Sequence, residues 1–210
     1  MPDTSLLERN LLALSLNNPD VSRDLSREEN ETSAGSLQVH FIRSRTGSLV
    51  PVLGGEKGVA LHSTFNPERE GGRFRDLYAG DGVLLFLGLG AGFHIAPFLE
   101  LETVSSILVV DQCLPLLHRV VESIDLTHIF LDPRVKLLID KTSTEIEDYL
   151  LSNYIPALLG DLKSIPLWPR FNATKEYFKG VMQAVEKVVG KVAGKSHLPY
   201  YFIDFFNLCI

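Results

Sequence analysis

The sequence predicts an α/β fold: a Rossmann-like, methyltransferase-type open sheet, mostly parallel, with helices on both faces. An N-terminal helix and a small antiparallel β unit precede it. Three observations lead there. Val83-Leu84-Leu85-Phe86-Leu87 is apolar throughout and of strand length, as in a strand buried on both faces of a parallel sheet. It opens onto Gly88-Leu89-Gly90-Ala91-Gly92, a tight turn that leaves main-chain N–H groups uncovered at the positive end of the next helix. About twenty residues on, Ser106-Ile107-Leu108-Val109-Val110 forms a second buried strand, with Asp111 at its tip.

Taken in order, Ser5-Leu6-Leu7-Glu8 matches a capping box, and Leu7, Leu11 and Leu14 share one helical stripe. Asn17-Asn18-Pro19 ends that helix, and the charged, polar stretch Ser22–Ser36 reads as a mobile connection. Leu37–Ile42 alternates with period two and Ser48–Leu53 follows a Gly47 turn, which predicts a hairpin with Pro51 marking an edge strand. Gly58–His62 supplies a third strand. Asn66 caps a helix over Asn66–Tyr78, with Pro67 at its first position and Glu68 and Glu70 complementing its dipole.

Beyond the glycine turn, Phe93–Leu99 is a short helix cut by Pro97, and Leu114–Val121 the helix after Asp111. Arg134–Asp140 is a third parallel strand. Thr142 or Ser143 caps a helix through Leu150, and Tyr154–Asp161 reads as the fourth strand. Phe178, Val181, Met182, Val185, Val188, Val189 and Val192 follow helical spacing over Thr174–Ala193, with Lys175, Lys179, Lys187 and Lys191 on the wet side. The division expected is an N-terminal helix plus β unit over 1–65 and a nucleotide-binding unit over 66–210. The aromatic run Tyr200–Ile210 then has to pack as a final element, dock on a second subunit, or lead into a further domain.

Composition narrows the function classes. A net charge of −6 argues against a broad nucleic-acid surface. No run approaches the roughly 18 apolar residues of a membrane span. Cys113 and Cys209 follow no metal spacing and read as free thiols of a reducing compartment. With no leader-like N-terminus, the expectation is a cytoplasmic protein without membrane or nucleic-acid partners.

The candidate ligand site is the glycine turn with its neighbours. The N–H groups of Gly88, Gly90, Ala91 and Gly92 would face a phosphate or other polar group, His94 lies two residues beyond, and Asp111 would take ribose hydroxyls. Ser63 and Arg69 stand at the start of the Asn66 helix, and Asp140 and Asp161 at further strand tips facing the same crevice. Each has a plainer alternative: the glycines allow close helix–strand packing, His94 packs, and Ser63 and the three acids cap helices. No metal site is expected. No Ser/His/Asp constellation or Walker lysine can be assembled from spacing, so no catalytic residue is named.

The segment Leu61-His62-Ser63-Thr64-Phe65-Asn66-Pro67-Glu68-Arg69-Glu70, then Gly88-Leu89-Gly90-Ala91-Gly92-Phe93-His94, then Asp132-Pro133-Arg134-Val135 resembles the motility accessory factor family. That family includes the archaeal 6-hydroxymethylpterin diphosphokinases. The resemblance implies a nucleotide or nucleotide-sugar ligand and a transferase that modifies flagellin with sialic-acid-like sugars, or moves diphosphate to a pterin. Family members continue into a larger catalytic domain, so the resemblance implies that this chain corresponds to the amino-terminal part alone, as a short relative or as a fragment of a longer protein.

The glycine turn with Asp111 and Asp132–Leu137 is also similar to S-adenosylmethionine-dependent methyltransferases and spermidine synthases. Here Phe86 stands where methyltransferases carry an acid before the turn, and Ala91 where spermidine synthases carry one, so a cationic cofactor loses its expected charge partners. A third reading is a non-catalytic scaffold assembled through the apolar C-terminus.

Overall fold

The computed structural model describes residues 5–28, 38–55, 57–78 and 81–193. Its first element, α1 (Leu6–Asn17), starts with the reciprocal Ser5/Glu8 capping box. Pro19 opens a second helix, α2 (Pro19–Glu28), where the sequence suggested a mobile connection. The reason is tertiary: Ser22 and Leu25 are buried, and the α1–α2 hairpin covers one edge of the large sheet.

The antiparallel unit comprises β1 (Val39–Arg43), β2 (Leu49–Leu53) and β3 (Val59–Ala60), in the order β1-β2-β3. Pro51 therefore lies in the middle strand, not on an edge. Its carbonyl accepts from Leu61 N–H, so its main chain faces the β3 side, beyond the end of that two-residue strand, where a missing N–H breaks no ladder bond.

The segment α3 (Pro67–Tyr78) leads into the parallel sheet of β4 (Gly82–Leu87), β5 (Val104–Asp111), β6 (Val135–Ile139) and β7 (Leu162–Pro166). Between them lie α4 (Ala96–Leu99), α5 (Leu114–Ser123), α6 (Thr127–Phe130), α7 (Ser143–Asn153) and α8 (Pro156–Leu159). After β7 come α9 (Trp168–Ala173) and α10 (Lys175–Ala193). The strand order is β6-β5-β4-β7, all neighbours parallel. The chain runs outward from β4 to β6 and then returns to the other side of β4, which sets the topological switch point between β4 and β7.

The fourth strand is displaced from its expected place. Pro156 starts a helical turn instead, because it cannot donate to a ladder but suits a first helical position. The strand begins only at Leu162. Helices cover both sheet faces: Leu84, Phe86, Ile107 and Val109 pack with α5, and Val83, Leu85, Leu108 and Val110 with α7 and α10. Leu14, Leu25, Leu53 and Leu61 join the first of these cores, so residues on either side of position 65 share one interior. Among the described residues, no helix is long and apolar enough to cross a membrane. Cys209 and the run Tyr200–Ile210 lie outside the described residues.

Candidate functional site

In an open parallel sheet a ligand crevice forms outside the carboxyl ends of the strands at the switch point. Here that position receives the glycine turn after β4, the tip of β5 and the start of α9. Asp111 and Arg170 meet there. The Arg170 side chain is fully buried, and its Nε donates to Asp111 Oδ1 at 2.9 Å while Nη2 lies 2.9 Å from the same oxygen. Asp111 Oδ2 accepts from Leu89 N–H at 2.8 Å, and Oδ1 also accepts from Gln112 N–H at 2.7 Å. The remaining guanidinium donors reach Gln112 O and Thr174 Oγ1. Burial pushes the Asp111 carboxyl above its ordinary range, against the opposing pull of the Arg170 guanidinium and the two amides.

Arg170 also lies against the glycine turn. A Cβ on Gly88 would stand 2.7 Å from Arg170 Cγ, so glycine is what lets the guanidinium stem cross the turn. Gly90 likewise makes room for His62 and Leu167, and Gly92 for Ile129. All three glycines have positive φ.

The segment from His62 to Glu70 gains a physical explanation. Ala91 N–H donates to His62 Nε2 at 2.9 Å, so the ring proton sits on Nδ1, 3.3 Å from Glu70 Oε2. Glu70 Oε2 also accepts from Ser63 N–H. Ser63 Oγ accepts from Phe65 and Asn66 N–H, and Asn66 Oδ1 caps α3 through Arg69 N–H. These residues form a latch that holds α3 against the glycine turn. Arg69 alone among the polar side chains of that segment named as candidates is exposed and has no hydrogen bond or ion pair among the described residues.

His94 is completely buried and packs against the rings of His62, Phe74 and Phe86. Its Nε2–H donates to Gly88 O at 3.0 Å, which tightens the turn from inside. Burial, reinforced by neighbouring His62, holds its pKa well below that of a free histidine. Asp140 stands at the carboxyl end of β6 with φ 53°, and its oxygens accept from Cys113 and Leu114 N–H, capping α5. Cys113 itself has φ 81°.

Asp161 requires a correction. It precedes β7, and its carbonyl accepts from Val83 N–H at the start of β4, so it lies at the amino end of the sheet, away from the crevice. The error follows directly from reading the strand too early.

The space left between these groups is a pocket of about 10 Å³, lined by Leu61, Leu89, Gly90, Asp111, Cys113 and Leu116 among others, room for about one water. Among the described residues, no cluster of three or more His, Cys, Asp or Glu could hold a metal ion. The turn, Asp111, Ala91 and His94 are thus brought together, with Ser63 on the adjoining latch. Two groups of this arrangement have partners that the sequence does not mark: His62, expected only to cap the Asn66 helix, accepts from Ala91 N–H, and nothing local marks Arg170 as the partner of a residue 59 positions earlier.

No family model matches the chain, and no curated protein matches it. Among solved structures it is similar to a MAf glycosyltransferase from Magnetospirillum magneticum AMB-1, with a TM-score of 0.53 and 15% identity. The match covers 85% of this chain and 35% of that one, so the chain spans about a third of the protein it resembles. At that identity the likeness establishes a shared α/β fold; function has to be argued from the site.

Proposed function

We propose that this chain is the Rossmann-like unit of a motility accessory factor type glycosyltransferase, and that it serves as a structural and assembly unit rather than as an open nucleotide site. The observation that carries this reading is the Asp111–Arg170 pair. The carboxylate suited to ribose hydroxyls already holds a buried guanidinium and two amides. A nucleoside would have to displace that guanidinium, and breaking a buried ion pair costs about 3–5 kcal/mol. The fold likeness to part of a glycosyltransferase supports the wider context.

Thermal shift with CMP, GDP, UDP, ATP, S-adenosylmethionine and a nonulosonate nucleotide tests it. The expected result is no shift with any of them. A ligand bound to the native state at a hundred times its Kd adds about 2.7 kcal/mol, and a shift of that order would overturn the reading.

A second reading is a nucleotide or nucleotide-sugar site that opens when Arg170 withdraws. It is favoured by the positive φ of Cys113 and Asp140 at the crevice rim, since non-glycine residues held there often mark ligand sites. The same panel separates the two, because this reading requires a shift with a nucleotide.

A further inference from the structure

The outer face of α3 leaves its positive charge unused. Among the described residues, the guanidinium groups of Arg45, Arg69 and Arg73 reach no oxygen. Every other arginine reaches a carboxylate or, for Arg43, the Gly47 carbonyl. The three are exposed and lie at one place in the fold. Arg45 N–H donates to Thr64 O just ahead of α3, and Arg69 and Arg73 stand four positions apart on that helix. In a chain of net charge −6 they form a local excess of the opposite sign.

A shortage of nearby acids does not explain it, because α3 carries Glu68, Glu70 and Asp76. Glu68 instead accepts from the Thr46 and Ser48 hydroxyls and ties the β1–β2 turn to the helix. Glu70 accepts from Ser63 N–H and faces His62, and Asp76 lies 4.0 Å from Arg75. A helix face that meets only water pairs its own charges at helical spacing, as α2 does for Arg23 and Arg27. The fold turns the acids of α3 away from Arg69 and Arg73.

Apolar groups frame the charges. Phe65, 61% exposed, precedes α3 and carries the Arg45 guanidinium over its ring at 4.3 Å. Leu77, 66% exposed, stands four positions beyond Arg73. Gly72, between the arginines, has open space where a Cβ would project, so another main chain can approach closely. Side chains four apart on a helix are separated by about 6 Å along its axis. Alternate side chains of an extended strand repeat at about 6.6 Å, nearly the same spacing. Carboxylates are the groups that accept both prongs of a guanidinium fork. We infer that the outer face of α3 docks an extended acidic segment of a partner protein. Alternate carboxylates of that segment meet Arg69 and Arg73, and its flanking apolar residues cover Phe65 and Leu77. A nucleic acid fits less well, because the remaining charge of the chain repels a long polyanion. Such docking deepens the assembly role, and the two fail separately. A thermal shift with a nucleotide sinks that role without touching this face, and docking can fail while the crevice stays closed.

Fluorescence anisotropy on the full chain tests it, with a labelled peptide of alternating glutamates flanked by leucine and phenylalanine. Binding is expected to saturate below about 1 mM at low salt, and to weaken at least tenfold in about 0.5 M salt. Arg69→Gln with Arg73→Gln should weaken it by about tenfold or more, whereas Arg23→Gln with Arg119→Gln stays within about twofold. Amide shifts in the unmodified chain locate the contact without any variant. Gly72 and Arg73 should move, and Leu114 at the crevice rim should not. Absence of saturation, or equal binding of the same peptide with glutamine for glutamate, overturns the inference. So do unchanged affinity in the Arg69/Arg73 double variant and shifts confined to other surfaces. Tighter binding of oligothymidylate than of the acidic peptide also overturns it, in favour of a nucleic-acid surface.

Discussion

Arg170 and Asp111 face each other across the switch-point crevice at 2.9 Å, the arginine with no solvent exposure at all. A crevice of this topology ordinarily leaves the acid at the second strand tip for a ligand. Here the following helix supplies the ligand from within the chain.

The pair should dominate local stability. Arg170→Met leaves Asp111 buried without its counter-charge and is expected to destabilise the fold by about 3–5 kcal/mol in urea unfolding. The double variant Arg170→Met with Asp111→Asn, which removes the charge and keeps an amide oxygen as acceptor for a main-chain N–H, should recover part of that loss. A single-variant cost below about 1 kcal/mol would show that the pair is weakly coupled.

Adjacent glycines in α3 should respond in opposite ways. A Cβ on Gly71 runs into the Phe93 carbonyl, whereas one on Gly72 meets nothing within 4 Å. Gly72→Ala is expected to raise stability by about 0.5–1 kcal/mol, because alanine is the better helix former. Gly71→Ala should lower the melting temperature and separate α3 from the glycine turn. Equal effects at the two positions would contradict the packing.

Two buried asparagines hold the α1–α2 hairpin in place. Asn10 donates to Val121 O and Ile124 O and accepts from Leu126 N–H, and Asn18 bridges the edge of β6. Asn10→Ala or Asn18→Ala leaves buried main-chain groups unsatisfied, each at a cost of about 1–3 kcal/mol. Denaturant midpoints measure both, and unchanged midpoints would mean that water replaces the amides freely.

Acid should weaken the fold through His94. Its folded-state pKa is depressed by burial and by neighbouring His62, so the unfolded chain takes up a proton that the native state refuses. Its contribution is complete above about pH 6.5 and is lost as pH falls below that value, by about 1.4 kcal/mol per unit. His94→Gln keeps an N–H for Gly88 O but cannot titrate. Its stability profile between pH 7.5 and 5 should be flatter by one proton than that of the unmodified chain.

Much of this molecule was legible in one dimension. Val83–Leu87 and Ser106–Asp111 announced buried parallel strands because apolar runs of strand length between glycines have few other homes. Asn66 and Pro67 marked the start of α3, the Thr142/Glu145 capping box that of α7, and the apolar stripe of α10 appeared at helical spacing. Those signals are local, arising from dihedral preference, capping geometry and side-chain periodicity, and they determined the α/β class and most element positions.

Tertiary structure decided the rest. Ser22–Glu28 carries too much charge to read as packed, yet it is helical because Leu25 finds the core and the hairpin finds an open strand edge. Tyr154–Asp161 looked like a strand, but Pro156 favours a helical turn and moves Asp161 to the far end of the sheet. Above all, the occupant of the crevice was invisible in the linear pattern. A lone arginine carries no mark of the carboxylate it will meet, since the sequence separation of 59 positions specifies no distance until the β6-to-β7 return folds α9 over the glycine turn.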